Sequence, residues 1–191
     1  RSWNKYGFRV SCRHTQRPGD PGGALHSRRR CRVKKTGRAP IVRCVTGEET
    51  LAYGRRLAAT LRPPVVLLAR GDLGVGKTVL ARGVAEGLGV LDLVTSPSFT
   101  LVNEYEAGDH TFVHIDLYRL GEPQELEHLG LEEYLGPKVF AYIEWPEILI
   151  RSVAGGVGWL LSLGTRVYEV LIRLESDESR IIEVRAVEAT A

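Results

Sequence analysis

Three apolar runs stand out along the chain: Val65-Val66-Leu67-Leu68-Ala69, Thr111-Phe112-Val113-His114-Ile115-Asp116 and Val139-Phe140-Ala141-Tyr142-Ile143-Glu144. The first is continuous enough to predict a strand buried on both faces, as in a parallel sheet. The other two are apolar strands that each end in an acid. Between and around them the period changes to helical. Leu51, Leu57, Ala58 and Leu61 share one face of a helix that starts at the capping box Thr46-Gly47-Glu48-Glu49 and stops at Arg62-Pro63-Pro64. A second helix runs from Val79 to Leu88. A third begins at Pro123, with Leu126, Leu129 and Leu131 as its apolar stripe and a break at Gly130.

Ser96-Pro97 marks a loop, and the β-rich residues after it predict a strand to about Tyr105, followed by a turn at Glu106-Ala107-Gly108-Asp109. Residues 167–174 and 181–185 alternate and form a hairpin across Ser176-Asp177-Glu178-Ser179. No internal repeat is present.

The segment joining the first strand to the second helix changes the picture most. It reads Gly71-Asp72-Leu73-Gly74-Val75-Gly76-Lys77-Thr78, a phosphate-binding loop set between strand and helix. Gly74 and Gly76 allow the tight turn. The loop N–H groups and the positive end of the helix dipole then favour phosphate oxygens. Lys77 would reach the outer phosphates and the Thr78 hydroxyl would sit on Mg2+. Asp72, Leu73, Gly74, Val75, Gly76, Lys77, Thr78 and Val79 are thus the candidate nucleotide-binding set. The predicted fold is α/β: a P-loop NTPase-like three-layer arrangement with a mostly parallel central sheet and an antiparallel C-terminal hairpin.

A nucleotide site also needs a carboxylate near the metal at the carboxyl edge of the sheet. Asp116 and Glu144 both qualify. Glu144 would hold Mg2+ through water and orient the attacking water; Asp116 would act as base or as an orienter one layer behind. Composition does not assign these roles. His114 is expected to pack within its strand and His128 to be solvated. Trp145 either joins the core or packs near the nucleotide. Arg119 is either a phosphate ligand or a surface ion-pair partner.

Composition sets the background. The 191 residues are 43% hydrophobic and 26% charged, as in a soluble globular protein. The net charge of +3 conceals an asymmetry. Residues 1–44 carry 13 Lys/Arg and one acid, hence +12; residues 45–191 carry 13 Lys/Arg and 22 acids, hence −9. The expected organisation is a basic, disordered or non-native N-terminal extension (1–44) and an acidic ATPase domain (45–191), with order beginning near Ile41. A nucleic-acid arm at Arg28-Arg29-Arg30-Cys31-Arg32-Val33-Lys34-Lys35 and an organellar transit peptide are competing readings of the extension. Cys12, Cys31 and Cys44 match no zinc spacing and point to reduced thiols in a cytoplasmic protein. No apolar stretch is long enough for a membrane helix; Val153–Gly164 falls short.

Four segments in order, Gly71–Thr78, Ser96-Pro97-Ser98-Phe99-Thr100-Leu101-Val102, His114-Ile115-Asp116-Leu117-Tyr118-Arg119-Leu120 and Glu144-Trp145-Pro146-Glu147, closely resemble the TsaE (YjeE) family of small bacterial ATPases. The linking stretch from Glu125 to Tyr134 is similar too. The resemblance implies an ATPase that acts with the TsaB and TsaD proteins in making threonylcarbamoyladenosine in tRNA, the tRNA being reached through that complex. It implies Lys77 as the phosphate residue, Thr78 and Glu144 as the magnesium residues, Asp116 as an essential acid and Trp145 as the aromatic beside it. Adenine contacts would come from around Thr50 and Glu178. One departure is Val79, where many family members carry a second Thr. A small-molecule P-loop kinase is the alternative; it would need an Arg-rich lid, and only Arg151 and Arg166 follow Glu144 before the hairpin. No Asn-Lys-x-Asp motif reads guanine, so adenine is favoured.

Overall fold

The computed structural model describes residues 33–35, 41–152 and 156–189. In chain order the elements are β1 (Val33–Lys35), β2 (Ile41–Cys44), α1 (Gly47–Thr60), β3 (Val65–Arg70), α2 (Lys77–Gly87), β4 (Val102–Ala107) and β5 (His110–Asp116). These are followed by α3 (Pro123–His128), a 3-10 turn (Leu131–Tyr134), β6 (Val139–Glu144), α4 (Glu147–Ser152), α5 (Val157–Ser162), β7 (Arg166–Leu174) and β8 (Arg180–Ala189).

The strands form one sheet in the order β1-β8-β7-β3-β6-β5-β4, with β2 also on β8. β7, β3, β6 and β5 are mutually parallel; β4, β8, β1 and β2 pair antiparallel at the two sides. This is the expected mixed α/β sheet with a parallel centre and a C-terminal hairpin. β3 and β6 are buried residue after residue because both faces are covered. On one face Leu67, Ala69, Phe140, Tyr142, Val170 and Ile172 meet Leu57 and Ala58 of α1 and Leu80, Ala81 and Val84 of α2. On the other, Val66, Leu68, Val113, Ile115 and Ile143 meet Leu126 of α3, Leu149 of α4 and Leu160 of α5.

α1 begins as predicted. The Thr46 hydroxyl accepts from the Glu49 N–H at 3.1 Å, and the Glu49 carboxylate accepts from the Val45 N–H at 2.6 Å, one residue before the cap. The stretch after the expected Ser96-Pro97 loop, up to Leu101, departs from expectation. It is loop and turn, and β4 starts only at Val102. Leu101 turns through φ 63° and Phe99 is 85% exposed, so the β-prone side chains there have no sheet to join. At the other end the ladder carries through Ala107, paired with His110, and the turn shrinks to Gly108-Asp109.

Sheet pairing also reaches into the 1–44 segment. Ile41, Val42, Arg43 and Cys44 pair with Arg180–Glu183 of β8, and Val33–Lys35 pair with Val187–Ala189. β-branched residues there close the edge that β8 would otherwise leave open. Residues 28–32 of the basic run lie outside the described residues, as does Cys12, while the end of that run, Val33–Lys35, is β1. Cys44 is a buried free thiol, its pKa raised by that burial. Among the described residues no helix is long and apolar enough to cross a membrane.

Candidate functional site

Three neighbouring parallel strands deliver the site to one edge of the sheet. β3 runs into the glycine loop, β5 ends at Asp116 and β6 ends at Glu144; Asp116 and Glu144 are direct partners in the β5–β6 register. Side chains alternate along a strand, so His114 and Asp116 share a face with Tyr142 and Glu144, the face that α2 covers. The start of α2 therefore stands over the two acids.

The glycine loop turns by left-handed backbone at Gly74 (φ 77°) and at Gly76 (φ 107°), the cap of α2. From the first residue of α2, the Lys77 ammonium donates to the Gly71 and Asp72 carbonyl oxygens, each at 2.8 Å. It also lies 3.8 Å from the centre of the Trp145 ring, a cation–π contact. Trp145 reaches it through a positive φ of 56°, and Tyr118 packs on the indole at 4.8 Å between ring centres. So enclosed, Lys77 is only 4% exposed. Burial pulls its pKa below the usual lysine value, while Glu144, Asp116, Glu147 and Asp72 push it back up.

The Thr78 hydroxyl donates to Glu144 Oε1 at 2.9 Å. That bond uses the hydroxyl hydrogen and leaves the oxygen lone pairs for a cation. The same Oε1 lies 2.9 Å from His114 Nε2. Asp116 is held differently. Its Oδ2 accepts from Ser96 and Ser98, at 2.8 and 2.9 Å, and its Oδ1 accepts from the Tyr118 N–H at 3.0 Å. Tyr142 supports the floor by donating to the Lys77 carbonyl oxygen at 2.9 Å.

These residues enclose a cleft of about 250 Å³. Of the predicted set, Leu73, Gly74, Gly76, Lys77, Thr78, Val79, Asp116, Glu144 and Trp145 line it together. Asp72 and Val75 belong to the loop but do not line the cleft; their carbonyls hold Lys77 and the Arg180 guanidinium, respectively. Thr50 and Glu178 are not lining residues either. Thr50 is fully buried in α1 and donates to the Thr46 carbonyl, and Glu178 sits at the hairpin turn with φ 64°. Arg119 stacks 4.2 Å over the exposed Phe99 ring.

Ser96, Ser98 and Tyr118 line the cleft without having been singled out from sequence as site residues. The signal for the serines was the pair of hydroxyls flanking Pro97, which a loop returning to an acid can present side by side. His114 was placed correctly inside its strand, but its bond to Glu144 needs the strand register.

Among the described residues no group of three or more His, Cys, Asp and Glu side chains could hold a metal ion by itself. The donor set nevertheless fits magnesium with a nucleotide, because that ion is ordinarily held by one or two protein oxygens together with phosphate and water. Thr78 and Glu144 would be the two protein ligands.

Fold and cleft define a mixed α/β protein in which a glycine loop, a helix start and two strand-end carboxylates share one open site. The chain belongs to the threonylcarbamoyl adenosine biosynthesis protein TsaE family, whose profile matches residues 44–178. It is 36% identical over 145 residues to the tRNA threonylcarbamoyladenosine biosynthesis protein TsaE of Bacillus subtilis (strain 168), covering 76% of this chain and 84% of that protein. The protein of that name from Nostoc sp. is 43% identical over 122 residues, 61% of this chain and 74% of its own length. The crystal structure of Bacillus subtilis YdiB superposes with a TM-score of 0.59 at 31% identity, covering 80% of this chain and 90% of that one.

Proposed function

We propose that this chain is the ATP-hydrolysing component of the tRNA threonylcarbamoyladenosine machinery, working in the cytoplasm with TsaB and TsaD and reaching tRNA through them. The observation that carries the ATPase reading is the Thr78–Glu144 hydrogen bond beside Lys77, at the start of the helix that follows the glycine loop. Membership of a family named for threonylcarbamoyl adenosine biosynthesis supports the pathway part of this reading.

Lys77 would meet the outer phosphates with its ammonium; doing so means exchanging the Trp145 ring face for phosphate oxygens. Thr78 and Glu144 would hold magnesium, which supplies charge neutralisation across the phosphates. Asp116, fixed by three hydrogen bonds, would orient the attacking water or take its proton. Hydrolysis would reset the TsaD–TsaB assembly between turnovers. The excess of acids in residues 45–191 speaks for docking on protein rather than for gripping RNA directly.

The test is ATP turnover by the purified chain. ADP should form with magnesium and without any phosphorylated metabolite, which separates an ATPase from a small-molecule kinase. Lys77→Ala should abolish that turnover; an unchanged rate in the variant would refute the assignment.

A further inference from the structure

We infer that His114 is a positioning residue for Glu144, fixing the carboxylate that faces Thr78; this rests on the magnesium–nucleotide reading of the cleft. His114 lies in β5 two residues before Asp116 and is 0% exposed. It pairs in register with Tyr142, and its ring reaches along β6 to Glu144 Oε1 at 2.9 Å. Only an N–H at Nε2 can bond a carboxylate oxygen, so the hydrogen belongs on Nε2. Nδ1 is buried with no hydrogen-bond partner. The imidazole is thus spent on one polar bond, the one to Glu144.

Packing alone does not call for an imidazole here. Phe112 and Phe140 fill neighbouring positions on the same face, and Tyr142 meets the His114 ring edge-on at 5.7 Å. A phenyl ring would fill the space without burying an unpaired nitrogen, which costs stability. What the imidazole adds is a donor behind Glu144. Thr78 donates to the same Oε1 from the front, so the oxygen is pinned between a core residue and the first turn of α2, and Oε2 takes part in neither bond. Partners of this kind, one layer behind a metal ligand, set its orientation and typically change metal affinity or activity ten- to a hundredfold. His114 touches neither nucleotide nor metal in this arrangement; it acts through Glu144.

The experiment uses the full chain with ADP and Mn2+, reading bound Mn2+ by electron paramagnetic resonance and ADP affinity, without metal, by calorimetry. His114→Phe removes the donor and keeps the ring. His114→Gln restores an N–H near the place of Nε2, and His114→Asn is too short to do so. Phe and Asn variants should keep metal-free ADP affinity but need about ten- to a hundredfold more Mn2+, and Gln should recover most of the loss. If His114→Phe fails to fold, the Gln–Asn comparison reads the same quantity. Unchanged Mn2+ affinity in the Phe or Asn variant, or a Gln variant no better than Asn, overturns the inference alone. Wild-type protein that binds ADP but takes up no Mn2+ would instead overturn the magnesium–nucleotide reading beneath it.

Discussion

Replacing Gly54 by alanine puts a methyl group where α1 meets α2. The added Cβ would lie 2.7 Å from the Leu80 carbonyl oxygen, 2.8 Å from the Val84 nitrogen and 2.9 Å from the Gly83 carbonyl carbon. All three are backbone atoms, so none can rotate away; the helices must part until the contact reaches at least 3.4 Å. Gly83 is locked in return against the Leu51 backbone. Overpacking of this sort costs about 1–3 kcal/mol, and a clash with rigid backbone belongs in the upper half. Alanine returns about 1 kcal/mol of helix propensity. The net is a loss of about 1–2 kcal/mol, which lowers Tm by about 2–8 °C for a chain of this size.

The assay is thermal unfolding followed by circular dichroism, with Gly47→Ala as the control. Gly47 opens α1, and a Cβ there meets nothing within 4 Å, so that variant should be neutral or slightly more stable. Because α2 carries Lys77 and Thr78, Gly54→Ala should also weaken nucleotide binding. A Gly54→Ala protein as stable as the Gly47→Ala control would refute the claim that α1 holds α2 by backbone contact.

Two further outcomes concern the cleft itself. Thr78→Val keeps the β-branched shape and deletes the hydroxyl bonded to Glu144. A hydrogen bond to a charged group is worth about 1.5–3 kcal/mol, so ATP turnover at fixed magnesium should fall about 10- to 100-fold while nucleotide binding survives; a wild-type magnesium titration would contradict this. Asp116→Asn cannot accept from Ser96, Ser98 and the Tyr118 N–H together, since one of its two polar atoms becomes a donor. Single-turnover hydrolysis should drop by roughly two orders of magnitude, as for loss of a general base, and an unaltered rate would remove Asp116 from the mechanism.

The parallel centre of the fold was legible because β3 and β6 are buried on both faces and so carry unbroken apolar runs. The cap at Thr46 and the stop at Pro63 were legible because helix ends have local chemistry. The loop entry at Ser96-Pro97 was legible too, but its continuation to Leu101 was read as strand for the opposite reason. Phe99 and Thr100 have strand propensity, but Ser96 and Ser98 are turned to Asp116, a partner about twenty residues away. The helical glycines were silent as well; Gly54 looks like a mild weakness until α2 is packed against it.

Within the site, Lys77, Thr78, Asp116 and Glu144 were found from a motif and from acids at strand ends. The Trp145 cap on Lys77 and the His114 bond behind Glu144 were not, because both depend on strand register and, for Trp145, on a left-handed backbone that no local pattern announces. Thr50 and Glu178 came from resemblance alone, and in the structure they stand outside the cleft lining.

The most direct test of the central claim is repeated threonylcarbamoylation of tRNA by a compatible TsaB–TsaD pair, measured with and without this chain. Added with ATP and magnesium, the chain should convert a single round of modification into many, and Lys77→Ala should leave the pair at the single round. Equal product with and without the chain, or full turnover with the Lys77→Ala variant, would contradict the account.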